Sequence, residues 1–297
     1  MAQTVAPFPC NPPEYSHPVN VDRLTPAIGA EISGINLSRP LGDDRLEQVY
    51  RALSDHLVLF FPGQDLSAQH QLDFARTFGG IDKPHAIYPH VEGFQQVVLL
   101  ENDGDRPPDT NAWHTDLTYY PRPPFASILH AREVPETGGD TLWASMYAAY
   151  DHLPASMKPA LDNLLAIHDP GSFRNQFLGE DHDIEALNES LGRVGSAIHS
   201  MVKTHPVTGR KYLYVNRSFT QQVVDYGTTE SDRLLNYLFD HINQPEYQVR
   251  HRWRSGDLVM WDNRVTQHYA VADYLPHYRR MHRVTVVNDR RANRGQP

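Results

Sequence analysis

The sequence predicts a mainly β protein with helices, built as an antiparallel barrel or jelly roll with helical decoration. From residue 97 onwards, short apolar and β-branched segments typical of strands dominate the chain, and helical spacing interrupts them only twice. Strands and helices do not alternate regularly, as they would around a parallel sheet, and no sequence period recurs. Both observations favour an antiparallel architecture over a doubly wound or repeat fold.

The first eighty residues predict an arm followed by alternating strands and helices. Residues 1–20 are rich in proline and lack periodicity, which is typical of an arm outside the core. The next elements are a strand over 28–35, a helix over 43–56, a strand over 57–61 and a helix over 67–78. Ser67 is the expected N-cap of the second helix, which ends at a pair of glycines.

The remaining chain predicts strands, one hairpin and two helical stretches. The predicted strands span 97–100, 125–131, 140–144, 201–205, 247–253, 257–261 and 281–287. The helices cover 146–165, broken near Pro154, and 228–241, and residues 203–216 form the hairpin. Residues 179–200 are polar and weakly patterned, which predicts a mobile lid. Residues 21–297 are expected to form a single domain.

Composition excludes several classes of protein. The 36 acidic side chains outnumber the 27 basic ones, and the net charge of −9 disfavours a nucleic-acid partner. A single cysteine, Cys10, excludes an internal disulfide framework and a cysteine-based zinc module. The chain begins without a basic and apolar leader, and its longest strongly apolar run, Leu57–Phe61, is far too short to span a membrane. We therefore expect a soluble, cytoplasmic protein with no membrane partner.

A histidine and a carboxylate two residues apart are the first candidate ligands for a metal. On an extended strand His114 and Asp116 project from the same face, so both can approach one point. Imidazole and carboxylate suit a divalent transition metal. The alternative is a hydrogen-bonded surface pair, since this spacing is common by chance.

A third ligand and two arginines lie near the end of the chain. His268 would complete a set of two histidines and one carboxylate, which leaves three adjacent octahedral positions open for substrates. Arg279 and Arg283 share a face of the last predicted strand. Buried guanidinium groups need anionic partners, and their planar forks suit carboxylates and sulfonates. The alternatives are a buried histidine bonded to the backbone and arginines facing solvent from an edge strand.

Several of these segments together resemble the taurine dioxygenase family of iron(II)- and 2-oxoglutarate-dependent oxygenases. The resemblance covers roughly residues 24–288, nearly the whole of a domain of this size. The matching segments are His114–Asp116, Gly138–Trp143, Thr204–Pro206, Tyr214–Asn216, and Trp261–Arg264 with the chain that follows to Arg283. The fold that the resemblance implies is a double-stranded β-helix, a jelly roll whose mouth holds the metal.

The resemblance also implies the cofactors and the residues that bind them. His114, Asp116 and His268 match the family's iron ligands, and dioxygen is the second substrate at the metal. Arg279 matches the arginine that pairs with the distal carboxylate of the co-substrate 2-oxoglutarate. Thr141 matches a threonine whose hydroxyl assists that contact.

Five residues match positions that bind the substrate in the family. His85 and Tyr88 lie in a segment ahead of the metal motif, Arg283 matches the arginine that grips a sulfonate, and Phe219 matches a pocket aromatic. Asn111 corresponds to an asparagine near the substrate amine, displaced here by one position. The alternatives are that His85 is an ordinary loop histidine and that Phe219 belongs to the core.

The function expected from the resemblance is hydroxylation of a small anionic substrate. Taurine or a related alkanesulfonate is the leading substrate, with sulfite, an aldehyde, succinate and carbon dioxide as products. An alkyl sulfate ester, an aryloxy acid or a modified amino acid is the alternative, because Arg283 would serve any of these anions. A zinc hydrolase would leave Thr141 and Arg279 without a role, and a non-catalytic binding module would be expected to lack a ligand. Homologues in the family associate, so a homo-oligomer is a further expectation.

Overall fold

The computed structural model describes residues 19–85, 88–108, 112–171 and 195–292. Its α-helices are α1 (Asp43–His56), α2 (Ala68–Phe78), α3 (Met146–Asp151), α4 (Lys158–Leu161) and α5 (Thr228–Ile242), with a short 3-10 turn at Pro245–Tyr247. Among these described helices, none is both long and apolar enough to cross a membrane.

The strands outnumber the helices and are mostly short. They are β1 (Asn20–Arg23), β2 (Ala30–Ser33), β3 (Val58–Phe61), β4 (His90–Val91), β5 (Phe94–Asn102), β6 (Ala126–Glu133), β7 (Thr141–Ser145), β8 (Leu165–His168), β9 (Ala197–Ser200), β10 (Val202–Thr204), β11 (Lys211–Leu213), β12 (Thr220–Val223), β13 (Gln248–His251), β14 (Leu258–Asp262), β15 (Thr266–Ala270) and β16 (Arg279–Val286). Short antiparallel strands of this kind are typical of jelly rolls.

One eight-stranded sheet forms the frame, in the order β1-β2-β3-β14-β6-β16-β5-β4. Every neighbouring pair in it is antiparallel except β2 and β3. The smaller sheets have the orders β13-β7-β15, β12-β8-β9 and β10-β11. Strands far apart in sequence, such as β3 and β14, are therefore neighbours in space.

The large sheet separates two hydrophobic cores because successive side chains of a strand point to opposite faces. In β3, Leu59 and Phe61 pack with helices α1 and α2 on one face. Val58 and Phe60 point the other way, into a second core that contains Trp143 of the small sheet. The candidate site lies on this second side, between the large sheet and the sheet formed by β13, β7 and β15.

Most predicted elements are present at their predicted places. Helix α1 has the predicted bounds, and α2 begins after Ser67, whose side chain accepts a hydrogen bond from the backbone N–H of His70 in a capping box. The predicted hairpin is formed by β10 and β11. Arg279, Met281 and Arg283 share the inner face of β16, as predicted.

The helix predicted over residues 146–165 is broken near Pro154 as expected, into α3 and α4, but its predicted end is wrong. Helix α4 ends at Leu161, and Leu165 begins strand β8 instead of ending a helix. The reason is tertiary, since β8 pairs with β9 on one side and with β12 on the other. Those two sets of ladder hydrogen bonds outweigh the local helical spacing.

The predicted arm and the predicted lid lie partly outside the described residues. The predicted arm covers residues 1–20, of which only the last two are described: Val19 is buried and Asn20 begins β1. The predicted lid covers residues 179–200, and only 195–200 are described. Within that part, residues 197–200 form β9.

Candidate active site

An isolated β-bridge brings the first predicted ligand against the third. The backbone N–H of His114 donates to the carbonyl of His268 at 3.0 Å, and the reverse hydrogen bond measures 2.8 Å. His268 is held in β15, which pairs with β7 in the small sheet. The two imidazole rings consequently lie with their centroids 4.0 Å apart.

Asp116 completes a compact, buried group of three possible ligands. Its Oδ1 lies 3.6 Å from Nε2 of His114 and 3.7 Å from Nε2 of His268, and all three ligand atoms lie within 4.8 Å of one another. Neighbouring ligands of an octahedral ion with bonds of about 2.1 Å lie about 3 Å apart. Small side-chain movements would therefore let the three atoms share one face of such an ion, and the donor set fits a divalent transition metal.

Protonation in the site suits metal binding. Nδ1 of His114 lies 2.9 Å from the carbonyl of Ala112, so this nitrogen donates its proton and Nε2 carries the lone pair. Burial, together with the neighbouring His114, lowers the pKa of His268 to about 3, so this ring is neutral at pH 7. Burial disfavours the ionised form of Asp116, but its interactions with His268, Arg283 and His114 and the hydrogen bond from Ser127 outweigh it and hold the pKa of this carboxyl below its usual range.

A buried asparagine fixes the segment that carries Asp116. Oδ1 of Asn263 accepts the backbone N–H of Asp116 at 3.0 Å, and Nδ2 donates to the carbonyls of Asp116 at 3.0 Å and Pro124 at 3.2 Å. The second carboxylate oxygen of Asp116 accepts from the hydroxyl of Ser127 at 2.8 Å. Both the backbone and the side chain of the carboxylate ligand are therefore positioned before any ion binds.

The neighbours of Asn263 form a second buried network that supports this corner. Arg264 donates to both oxygens of Asp262 and to Asp289, and Nε2 of His205 lies 3.1 Å from Asp262. The charges and hydrogen bonds of Arg264 and His205 hold the pKa of Asp262 below its usual range against the effect of burial. Two of the segments that suggested the family are thus structural supports.

The larger cavity beside the triad contains the predicted 2-oxoglutarate residues. Its volume is about 260 Å³, and its lining includes His268, Thr141 and Arg279. Arg279 is only 6% exposed, and its Nε has no hydrogen-bond partner among the described residues. Burial lowers the pKa of this guanidinium against the opposing effect of Tyr274. A buried guanidinium with no carboxylate partner among the described residues is suited to an anionic ligand.

A tight turn next to Arg279 requires glycine. Gly139 has a φ of +70°, and an added Cβ would lie 3.2 Å from the ring of Tyr274 and 3.4 Å from Cδ of Arg279. Its backbone N–H donates to Oδ1 of Asp273 at 2.8 Å. The turn therefore packs directly against the arginine and the tyrosine that form one end of the cavity.

A smaller cavity of about 50 Å³ lies against the other side of His114 and Asp116. Its lining includes His85, Tyr88, Phe219 and Arg283, four of the five predicted substrate residues, together with Asp82, Lys83 and Gln96. The fifth, Asn111, lies outside the described residues. Arg283 lines both cavities, and its Nη1 lies 3.7 Å from Oδ1 of Asp116.

Aromatic contacts order the wall of the smaller cavity. The ring of Phe219 packs edge-on against His114 at 6.4 Å and Tyr119 at 5.0 Å between centroids. His85 and Tyr88 have ring centroids 4.6 Å apart, and Nδ1 of His85 accepts the backbone N–H of Tyr88 at 3.2 Å. Burial, reinforced by Arg283, lowers the pKa of His85 to about 3, so the neutral ring carries its proton on Nε2.

Comparison with known proteins identifies the family. The profile of the "Taurine catabolism dioxygenase TauD, TfdA family" matches residues 20–285. This chain belongs to the TauD, TfdA family. The resemblance predicted from the sequence is therefore confirmed, and the chain is a 2-oxoglutarate-dependent dioxygenase with the jelly-roll fold of its family.

Individual members of the TauD, TfdA family are similar over most of their length. The chain is 38% identical to "Alkylsulfatase" of Acinetobacter baylyi, covering 90% of this chain and 84% of that protein. It is 36% identical to "Alpha-ketoglutarate-dependent sulfate ester dioxygenase" of Pseudomonas putida, covering 91% and 90%. The crystal structure of a putative alpha-ketoglutarate-dependent taurine dioxygenase from Burkholderia xenovorans is 33% identical, covers 91% of this chain and 93% of that one, and has a TM-score of 0.79.

The sequence of this TauD, TfdA family member did not reveal the residues that hold the three candidate metal ligands in place. Asn263 stands inside a segment that was used for recognition, but its partners on the backbone of Asp116 are distant in sequence. Ser127 had no sequence signal, because it is a single polar residue on the inner face of β6. Asp82 and Lys83 were also missed as residues that line the smaller cavity. They adjoin the segment that contains His85, and their charge was the signal that could have identified them.

We expect Asn263→Ala to loosen the carboxylate ligand without removing it. Three buried hydrogen bonds are lost, so the free energy of unfolding should fall by about 2 to 4 kcal/mol and metal affinity should weaken about tenfold or more. Thermal unfolding and calorimetric titration with manganese(II) measure the two effects. Asn163→Ala, which removes an exposed helical hydrogen bond, is the matched control. Unchanged metal affinity in Asn263→Ala would contradict the positioning role.

Proposed function

We propose that this protein is an iron(II)- and 2-oxoglutarate-dependent dioxygenase that hydroxylates the carbon next to a sulfur oxyanion, with alkyl sulfate esters as the first substrate class. The observation that carries the proposal is a buried triad of possible metal ligands between two cavities, each lined by an arginine. One arginine suits the carboxylate of the co-substrate and the other the anion of the substrate. The names of the two similar proteins described above support sulfate esters.

His114, Asp116 and His268 would hold iron(II) through one atom each. After small side-chain movements their three atoms would bind the ion from one side, and its other positions would be left for the keto acid and for dioxygen. When bound, iron(II) with 2-oxoglutarate supplies the activation of dioxygen, and the keto acid is converted to succinate and carbon dioxide. The residues of the chain bind and orient the co-substrate and the substrate, and they exclude water.

Arg279 and Thr141 would bind the distal carboxylate of 2-oxoglutarate. The guanidinium and the hydroxyl line the same cavity as His268, and both are buried. Burial removes competing water, so the charge-assisted hydrogen bonds to a carboxylate are stronger than they would be at the surface. This pair would also set the orientation of the keto acid toward the metal ligands.

Arg283 would bind the sulfur oxyanion, with His85 and Tyr88 beside it. All three line the smaller cavity, and Lys83 adds a second positive charge there. Phe219 packs against His114 at the same wall and keeps water from the reacting carbon. Holding the anion at a fixed point presents the neighbouring C–H bond to the metal, which is the contribution of orientation to the rate.

The products follow from the position of the hydroxyl group. Hydroxylation of R–CH2–OSO3⁻ gives an adduct that collapses to the aldehyde R–CHO and sulfate. One oxygen atom of dioxygen enters that adduct and the other enters succinate. The same step on an alkanesulfonate releases sulfite in place of sulfate.

Anaerobic reconstitution with iron(II) and 2-oxoglutarate, followed by air, tests the proposal. The substrates are medium-chain alkyl sulfates, alkanesulfonates, taurine and aryloxy acids, with succinate, sulfate and sulfite measured together. We expect succinate and sulfate in equal amounts from an alkyl sulfate. Succinate coupled only to an aryloxy acid, or no succinate above the substrate-free rate with any compound, would overturn the proposed substrate class.

A second candidate substrate is taurine, an aminosulfonate. Asp82 lines the same cavity as Arg283, which would place a carboxylate near the ammonium end of a short zwitterion. Burial raises the pKa of Asp82, and the neighbouring Arg283 opposes that rise. Lys83 stands in the same lining and favours a purely anionic substrate, so taurine is placed second.

Asp82→Asn distinguishes the two candidates. If taurine is turned over, we expect this change to lower its kcat/KM about tenfold, because an ammonium loses a charged partner. Hexanesulfonate lacks the amine and is the internal control, with an expected change of less than about threefold. Equal losses for both compounds would show that Asp82 shapes the cavity and does not recognise an amine.

A further inference from the structure

A buried indole is hydrogen-bonded to the hydroxyl of Thr141. Nε1 of Trp253 donates to Oγ1 of Thr141 at 2.9 Å, and the two residues are 4% and 2% exposed. Trp253 follows β13, which pairs with β7 so that His251 lies opposite Thr141. The indole packs edge-on against His251 at 4.9 Å and lies 6.2 Å from the ring of Trp143. The donor is therefore held in place from several sides.

The direction of this hydrogen bond determines what the hydroxyl can do. An indole N–H only donates, whereas a hydroxyl has one proton to donate and two lone pairs. Because Trp253 occupies a lone pair, the proton of Thr141 remains available for a different acceptor. Among the described residues, the hydroxyl has no such acceptor, and Thr141 lines the cavity that contains Arg279.

Two buried donors therefore line one cavity. One is the hydroxyl of Thr141, and the other is the guanidinium of Arg279, which interacts with Tyr274 but whose Nε has no hydrogen-bond partner in the described part of the chain. A carboxylate accepts from both at once. A neutral group that must itself donate a proton would leave one of them unsatisfied, at a cost in binding.

We infer that Trp253 is a positioning residue for the 2-oxoglutarate site, which acts by fixing Thr141 as a donor to the distal carboxylate. The inference rests on the proposed function and adds a residue that does not touch the co-substrate. Without the indole N–H, the hydroxyl proton can turn toward other acceptors, and part of the binding energy is used to turn it back. The competing explanation is that Trp253 only joins the end of β13 to β7.

Trp253→Phe removes the N–H and keeps most of the ring. Trp143→Phe is the matched control, since it makes the same change in an adjacent buried tryptophan whose N–H has no partner among the described residues. Calorimetric titration of the manganese(II)-loaded protein would measure binding of 2-oxoglutarate and of oxalate, a chelator without a distal carboxylate. We expect Trp253→Phe to weaken 2-oxoglutarate about 3- to 10-fold and oxalate less than about twofold, with no such selectivity in Trp143→Phe.

The double variant separates positioning from structure. If Trp253 acts through Thr141, adding Trp253→Phe to Thr141→Val should weaken 2-oxoglutarate no further, because the hydroxyl is already gone. Additive losses, or equal losses for 2-oxoglutarate and oxalate, would overturn the inference. If neither Arg279→Ala nor Thr141→Val weakens 2-oxoglutarate, the proposed co-substrate site itself is wrong. If both weaken it and Trp253→Phe behaves like Trp143→Phe, only the present inference is wrong.

A measurement on the unmodified protein covers the case in which Trp253→Phe does not fold. The chain has four tryptophans, so its indole N–H resonances can be assigned by single replacements of the other three. We expect the resonance of Trp253 to shift on addition of 2-oxoglutarate to the manganese-free, zinc-loaded protein and to stay in place with oxalate. No shift with 2-oxoglutarate would contradict coupling through Thr141.

Discussion

Asp116→Ala is expected to reduce substrate-dependent succinate formation by at least about 1,000-fold. Asp116 supplies the only carboxylate of the triad, and its Oδ1 lies within 3.7 Å of both histidine Nε2 atoms and of Arg283. Its loss leaves two imidazoles beside the guanidinium of Arg283 with no carboxylate among them, so a divalent ion should bind weakly. Calorimetric titration with manganese(II) and a coupled succinate assay measure both losses.

Ser127→Ala is the control for this change. It removes the hydrogen bond to the other oxygen of Asp116 but leaves the carboxylate in place. We expect a loss of about tenfold in metal affinity, in line with the effect of outer hydrogen-bond partners. Retention of manganese binding by Asp116→Ala at the level of Ser127→Ala would show that the triad is not the metal site.

Arg279→Ala and Arg283→Ala are expected to damage different ligands. Arg279→Ala should weaken 2-oxoglutarate binding by about 10- to 100-fold, as expected when a charge-assisted hydrogen bond is removed. Arg283→Ala should abolish substrate-dependent turnover, because Arg283 and not Arg279 lines the smaller cavity, where the substrate would bind. It should leave 2-oxoglutarate affinity within about threefold, since Arg279 remains in the larger cavity. Titration with 2-oxoglutarate and the ratio of succinate formed with and without substrate report the two effects.

Arg280→Ala provides the matched control for both arginines. Arg280 lies between them on β16, but its side chain is 41% exposed and paired with Glu133. An exposed ion pair contributes little, so neither ligand should be affected. Equal effects of Arg279→Ala and Arg283→Ala on 2-oxoglutarate affinity would contradict the division between the two cavities.

Arg279→Ala carries a second expected signature, in stability. The guanidinium is buried and its Nε lacks a partner in the described part of the chain, so removing the charge should not lower the melting temperature of the ligand-free protein. The rise in melting temperature on adding 2-oxoglutarate should shrink instead, because that rise depends on affinity. Thermal unfolding with and without the keto acid measures this. A ligand-free variant that melts well below the parent protein would indicate a structural role for Arg279.

The local elements were predictable where the sequence itself contains the deciding interaction. Helix α2 begins at Ser67 because the serine side chain caps its own helix, and β3 is a short apolar run closed by a proline and a glycine. Strand β8 was not predicted, and its first residue, Leu165, was included in the preceding helix, because its pairing partners, β9 and β12, come later in the chain. Short strands whose partners are distant have no local signal to identify them.

The same difference applies to the candidate site, between the residues that would bind ligands and the residues that hold them in position. His114, Asp116, His268, Arg279 and Arg283 were predictable because their side-chain chemistry is itself the signal, and the structure brings these five residues together. The side chain of Asn263 forms three hydrogen bonds and that of Trp253 forms one, all to residues distant in sequence, and only the folded chain shows these partners. Residue type therefore predicted which side chains could bind a metal or an anion, but it did not predict which residues hold those side chains in position.

The hydrogen-bonded bridge between His114 and His268 also bears on the biosynthesis of the protein. A nascent chain that ends before β15 carries two of the three donors and lacks the strand that aligns them. Metal capture by all three donors would therefore require that synthesis has passed β15. An ion that binds the folded state alone, at 100 times its Kd, adds about 2.7 kcal/mol of stability. We expect iron supply to set the lifetime of this protein, which limited proteolysis with and without manganese(II) would show as unequal digestion rates.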